Sequence, residues 1–446
     1  MSLINKIIGK LNLSPTKEKV VRNVVWAVTG KVVTLLGGLL VGIFVARYLG
    51  PEQYGLMSYV MSYVALFQVL ASFGMDNIEI REESKTPEEK DKIIGTAFGL
   101  KLTFAVVTMG LIALTAWLFE ANAFTKWMII LYSISMIMNS FGVIRNYFTS
   151  LVWNEYIVKT EISRTLIGAG LKVVLLLLHA PLVWFIVATL FDTVLIAGGY
   201  LVSYRSKIDS VRKWRFDKDT AKYLIKQSFP LAVSLSAVLI YHRIDQVMVG
   251  KILTNTELGY YSVACKFVEI IMFIPTILAQ TVVPVLVRMH KQNFSAYRSK
   301  TQQFVNITVW ICIILSIMVA LSSHWIILFT FGEQYLPATI ALQVLVFKSV
   351  GDALSATAGN MIIIENKQKY AWIRNVTACF VCVGLNLLFI PRWGLIGTAV
   401  ASILTYFYAG TFSNIFIPRY WFVLKTQIKA ILWGWKDLIN IKHIFK

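Results

Sequence analysis

RYLGPEQYGLMSYV occupies residues 47–60, and 204 positions later, without a gap, residues 251–264 read KILTNTELGYYSVA. Each copy opens on a basic residue, Arg47 or Lys251, and the two share Leu49/Leu253, Gly55/Gly259 and Ser58/Ser262. Beyond the quoted segments the match extends to Arg22/Lys226, Val45/Val249 and Val64/Val268. The repeated segment is a short turn. On both sides of each copy lie apolar stretches of about 20 residues, enough to cross about 30 Å of hydrocarbon.

Such stretches recur along the chain, near 20–46, 56–75, 93–118, 125–150, 161–180, 182–204, 223–249, 258–289, 301–329, 336–364, 370–391 and 394–417. The chain is 57% hydrophobic, with a mean hydropathy of +0.67, which excludes a soluble protein. Inside hydrocarbon the backbone must satisfy its own hydrogen bonds, so the spans are helices or barrel strands. Barrel strands alternate in polarity and need only about 10 residues; these runs are longer and uniformly apolar. The fold class is therefore all-α integral membrane, with about twelve transmembrane helices. The first run is expected to be a retained helix and not a cleaved signal peptide, because it is long and lies behind a polar leader.

Both copies of the turn fall between the first and second spans of a six-span half. Six is even, so the halves enter from the same side and form a parallel repeat about an axis along the membrane normal. The expected organisation is an N-terminal lobe, 1–222, made of an amphipathic leader, six spans and a basic linker. A C-terminal lobe, 223–418, carries six more spans, and 419–446 is a basic amphipathic tail. Segments 3–11 and 421–446 mix Ile, Leu and Trp with Lys and read as interfacial helices.

The net charge of +20 is first a topological signal. With the N-terminus in the cytoplasm, 33 of the 43 Lys and Arg fall in inner segments, 4 in outer loops and 6 within spans. Basic residues are retained on the cytoplasmic side, so both termini are expected there. The charge then meets anionic membrane lipid, and nucleic acid is not needed to account for it. The outer loops are short, which opposes a polymerase or ligase with an external domain. The basic segment 204–222 and the charged loop 76–92 are the long polar connections.

Charges within the spans carry the functional signal, because each costs roughly 2.5–3.5 kcal/mol at mid-bilayer. The cations are Lys31, Lys101, Lys172, Arg243, Lys266 and Lys348; the carboxylates are Asp192, Asp245, Glu269 and Asp352. Counting 1.5 Å per residue, Arg243/Asp245, Lys266/Glu269 and Lys348/Asp352 fall within one to two turns of a common layer. Spacings of i,i+3 and i,i+4 allow Lys266/Glu269 and Lys348/Asp352 to neutralise themselves as structural pairs. Arg243 and Asp245 point different ways. An excess of cations in a wet cavity between the halves is expected to bind an anionic group, with the carboxylates tuning it or carrying a coupling ion, H+ or Na+. The charges do not obey the repeat: Arg243, Asp245, Lys266 and Glu269 align with Leu39, Val41, Ser62 and Ala65. His242 and His324 read as packing or interfacial residues. Cys379 and Cys382 form a C-x-x-C inside an apolar helix with no His or carboxylate nearby, so no metal site is expected there. There is no phosphate-binding Gly-rich Lys loop, no H-E-x-x-H and no G-x-S-x-G, hence no expected cofactor or enzymatic activity.

ARYLGPEQYGLMSYVMSYVALF (46–67), RIDQVMVGKILTNTELGYYSVACKF (243–267) and NLLFIPRWGLIGTAVASILTY (386–406) together resemble bacterial polysaccharide-synthesis (Wzx-type) flippases. That family lies in the multidrug/oligosaccharidyl-lipid/polysaccharide exporter superfamily, and the resemblance covers essentially the whole chain. It implies two V-shaped lobes and movement of an undecaprenyl-diphosphate-linked oligosaccharide across the bacterial cytoplasmic (inner) membrane by alternating access, for O-antigen or other surface polysaccharide. It further implies other polysaccharide-assembly membrane proteins as partners. A cation-coupled multidrug exporter of the same superfamily is the alternative; its cavity is expected to carry acidic excess. An oligosaccharide polymerase is a further alternative, opposed by the short outer loops.

Overall fold

The computed structural model describes residues 15–439. Every regular element in them is helical, and no strand occurs among the described residues. Nine of the described helices are long and apolar enough to cross a membrane. Two of the nine are each a pair of helices joined at a glycine. Pro15–Ala65 breaks at Gly50, with φ 72° and ψ 171°. Ala371–Gly410 breaks at Gly394, with φ 54° and ψ −131°. Positive φ at these backbone angles is open to glycine and costly for other residues. Pro51, which lacks an N–H and has φ preset for a helix, follows the first break. The helix Asn154–Leu177, which carries Glu161, Arg164 and Lys172, completes twelve helical passages among the described residues.

The passages form two compact units. The first takes the described part of Met1–Tyr48 together with Tyr63–Ser236; the second takes Leu49–Ser62 with the described part of Ala237–Lys446. In the first unit Met75, Ile94, Ala97, Val143, Phe148 and Tyr204 are buried in one core. The segment read as a charged loop, 76–92, is instead the helix Asp76–Lys85 and a short 3-10 turn, Pro87–Glu89. Its carboxylates at 76, 79 and 83 share a face, and Glu79 and Glu83 are buried. The basic linker after Leu182–Lys207 is ordered too. Arg215 N–H donates to the Asp91 carbonyl at 3.1 Å, and Asp217 N–H to Thr96 Oγ1 at 3.0 Å. Asp217 then caps the helix Lys218–Ile252, accepting from the Thr220 N–H at 2.8 Å and its hydroxyl at 2.7 Å.

In the second unit the two copies of the repeated turn pack on each other. A Cβ on Gly55 would stand 1.8 Å from the Asn255 carbonyl oxygen, and one on Gly259 would stand 2.1 Å from that of Pro51. Residues 51 and 255 are themselves equivalent at the 204 offset, as are 55 and 259. Reciprocal contact between equivalent residues is the mark of a two-fold relation. The repeat is therefore a contact: each half supplies a glycine where the other half's backbone passes. The second copy enters its helix by different chemistry. Thr254 stands where the first copy has Gly50, and it forms a reciprocal cap with Glu257.

The tail also packs on this unit. In Trp421–Trp433, Val423, Gln427 and Ala430 are buried, and Gln427 Nε2 donates to the Leu354 and Gly410 carbonyls at 2.9 Å each. Trp421 and Trp433 of the same helix are exposed. The expected leader helix, 3–11, lies outside the described residues.

Candidate functional site

The span charges gather in each unit separately. In the first unit Lys101, almost wholly buried, donates to Asp76 Oδ1 at 2.7 Å and Glu79 Oε2 at 2.9 Å. Asn146 Nδ2 donates to the same two oxygens, at 2.9 and 2.6 Å. This network lines a cavity of about 330 Å³ together with Arg145, Glu161 and Tyr200. Lys172 bonds Asp192 at 2.5 Å and so ties the Asn154–Leu177 helix to Leu182–Lys207. Gly168 makes the room: a Cβ there would lie 1.9 Å from Asp192 Oδ1. Lys101 and Lys172 are thus each held by carboxylates of their own unit. Lys31 is exposed on the first helix.

The second unit holds the other six charges that the sequence singled out, Arg243, Asp245, Lys266, Glu269, Lys348 and Asp352. Arg243 Nη1 lies 3.1 Å from Glu269 Oε1, and Lys266 Nζ lies 3.8 Å from Glu269 Oε2. Glu269 therefore joins the helices Lys218–Ile252 and Asn255–Gln292 through two cations. Asp245, two residues on from Arg243, faces elsewhere. Its Oδ2 accepts from the Tyr261 hydroxyl at 2.7 Å, Ser402 Oγ at 3.1 Å and Lys348 Nζ at 3.4 Å. The neighbouring Gln246 accepts from Ser62, the residue of the first half equivalent to Lys266. Lys348 and Asp352 lie in one unbroken helix, Lys348–Ile364, which starts after an interruption at Val346–Phe347, and Lys348 pairs with Asp245 of another helix. Its ammonium also lies 4.6 Å above the Tyr406 ring. Asp352 forms no ion pair among the described residues.

Exposure separates the two arrangements. Lys348 and Asp245 keep 6% and 1% of their side chains exposed, whereas Arg243, Lys266 and Glu269 keep 36%, 44% and 38%. The first pair is a buried, multiply bonded strut; removing one partner of such a pair leaves an uncompensated charge. The second set is two cations on one carboxylate; Arg243 and Glu269 of it line a small cavity of about 50 Å³ together with Lys348, His242, Cys265 and Tyr406, and Lys266 lies outside that lining. His242 packs between aromatic rings, 5.1 Å from both Tyr241 and Tyr406. Cys382 is buried beside Tyr241 in the core of this unit.

Sequence reasoning missed several partners. Asp76, Glu79 and Glu83 were read as loop charges, although their i, i+3, i+7 spacing marks one helix face. Asn146, Tyr261, Ser402 and Gln246 are uncharged and gave no signal.

Residues 20–290, well over half the chain, match the family model described as polysaccharide biosynthesis protein. A probable low-salt glycan biosynthesis flippase, Agl15, of Haloferax volcanii is 22% identical over 246 residues, 51% of each chain. Among solved structures, the lipid II flippase MurJ in an inward closed conformation superposes with a TM-score of 0.67 at 15% identity, covering 94% of this chain and 97% of that one. A multidrug resistance MATE family transporter of the MOP superfamily, inward-facing, gives 0.64 at 16% identity, covering 92% and 96%. The superpositions show the fold, a polytopic helical membrane architecture; the family follows from the model match. The chain belongs to the polysaccharide biosynthesis protein family and has the helical membrane fold of the MOP-superfamily transporters.

Proposed function

We propose that the protein is a flippase that carries an undecaprenyl-diphosphate-linked oligosaccharide from the inner to the outer leaflet of the bacterial cytoplasmic membrane by alternating access, for surface polysaccharide or O-antigen. The observation that carries this reading is the set Arg243, Lys266 and Glu269. Two half-exposed cations share one carboxylate, so the set keeps a net positive charge where charge is costly to retain. A diphosphate competes with Glu269 for both cations through charge-assisted hydrogen bonds, which for a guanidinium are planar and bidentate. The glycan cannot cross hydrocarbon unaided, and the prenyl chain stays in lipid. At about 50 Å³ the present cavity admits water but not this headgroup, so transport requires it to open.

The relative named for glycan flipping and the family description support a lipid-linked glycan as cargo. The MATE-like fold alone is equally compatible with drug export, but an organic cation is repelled by Arg243 and Lys266. The test is surface glycan at equal membrane-protein level. Arg243→Ala and Lys266→Ala are expected to lose most of it; full glycan in both variants would refute the assignment of these cations to the cargo.

A further inference from the structure

At the opposite end of the second unit from the repeated turn, the helix Ala371–Gly410 begins beside the segment that leads to the tail. A cavity of about 530 Å³ opens there, larger than either cavity above. Its walls are mostly apolar: Ile373, Tyr408, Phe416, Ile417 and Pro418. Two guanidinium groups are set in them. Arg419 is at the exposed mouth, its charge centre 5.0 Å from the Tyr370 ring. Arg374 lies at the wall and is only 6% exposed, and its Nε and Nη1 have no hydrogen-bond partner. Among the described residues no carboxylate pairs with it. A buried guanidinium normally finds a carboxylate or several carbonyls, because an unpaired buried charge is among the costliest features a fold can hold. Arg374 is a wall residue of an apolar cavity that has a second cation at its mouth.

We propose that this cavity binds the phosphate of an anionic lipid, with Arg374 as the buried anchor, Arg419 closing on the phosphate from outside, and the hydrocarbon lying along Phe416 and Ile417. A forked guanidinium matches two phosphate oxygens. Free phosphate shares this chemistry but has no use for the apolar walls. The site is separate from Arg243, Lys266 and Glu269 and does not depend on the cargo assignment. Its role is to hold a resident lipid where the tail joins the bundle.

The experiment is native mass spectrometry of the purified full chain in micelles, titrated with phosphatidylglycerol, phosphatidylcholine or inorganic phosphate. The wild type is expected to retain one phosphatidylglycerol preferentially. Arg374→Gln, which keeps length and hydrogen-bonding capacity but not charge, is expected to weaken that binding about tenfold or more. Arg419→Gln, at an exposed position that folding does not require, is expected to weaken it several-fold. Should Arg374→Gln fail to fold, Arg419→Gln decides alone. Unchanged lipid retention in the variants, or equal retention of phosphatidylcholine, would overturn the site. Phosphate binding with the same Arg374 dependence but without lipid preference would overturn its assignment to lipid.

Discussion

The reciprocal glycine contact makes a quantitative prediction about the repeat. In Gly55→Ala the new methyl would sit 1.8 Å from the Asn255 oxygen and 2.8 Å from the Gly259 nitrogen. In Gly259→Ala it would sit 2.1 Å from the Pro51 oxygen. The obstacles are backbone atoms in well-formed helices, which cannot rotate away, so the helices must separate. Overpacking of this kind costs about 1–3 kcal/mol. Gly38, exposed on the same first helix, has nothing within 4 Å of its Cβ position. There alanine only removes backbone entropy from the unfolded chain and gains about 0.5–1 kcal/mol. The gap between the sites is therefore about 1.5–4 kcal/mol. The double variant adds a stricter condition. Because one contact carries both clashes, separation forced by the first alanine relieves the second, and the combined loss must fall short of the sum. Thermal unfolding of the purified protein in one detergent, for the three single variants and the double, reads all of this. A Gly55→Ala protein as stable as Gly38→Ala, or strict additivity of Gly55→Ala and Gly259→Ala, would refute the two-fold contact.

Three further outcomes are expected. Lys348→Met leaves Asp245 charged and buried, and is expected to cost about 3–5 kcal/mol, much of it recovered in Lys348→Met/Asp245→Asn; a double variant no better than the single would contradict the strut. Gly168→Ala forces Asp192 off its position and is expected to lower the melting temperature as much as breaking the Lys172–Asp192 bond by Asp192→Ala does, whereas Gly170→Ala, with open space at its Cβ, does not. In the linker, hydrogen bonds from the Thr220 hydroxyl and N–H hold the Asp217 carboxyl below its ordinary value. Its folded pKa lies below its unfolded one, so its contribution is complete above the unfolded value and is lost as pH falls from about 4 toward the folded value. Trp214 fluorescence should report this acid loosening in the wild type, and the Asp217→Ala protein should show the loosened signal already at neutral pH.

Much of the fold was legible because its determinants are local. Apolar length marks each passage, Gly50-Pro51 and Gly394 mark the tight turns, and the 204-residue offset marks the pair of halves. Depth counting also grouped Arg243/Asp245, Lys266/Glu269 and Lys348/Asp352 within one to two turns of a common layer, since rise per residue is fixed in a helix. What it could not give was pairing. Lys348 had Asp352 at i,i+4 and took Asp245, 103 positions away, a contact between helices that spacing along one helix does not encode. Lys101 lines a cavity in its own unit and is bonded there by Asp76 and Glu79, partners carried on a helix that composition disguised as a loop. Arg374 counted only as one more basic residue on the inner side; its burial arises from the chain folding back at 411–420, a long-range event with no local signature.

The central claim is that this fold moves a lipid-linked glycan past the Arg243–Lys266–Glu269 set. The most direct measurement uses liposomes containing the purified protein and a short undecaprenyl-diphosphate oligosaccharide on the inner leaflet, with an external glycosidase reporting the sugar's exposure. The account predicts protein-dependent exposure that is lost in Arg243→Ala although the variant is folded and inserted. Exposure equal in wild type and variant would contradict the cationic site, and no exposure beside gradient-driven uptake of a cationic dye would contradict the flippase itself.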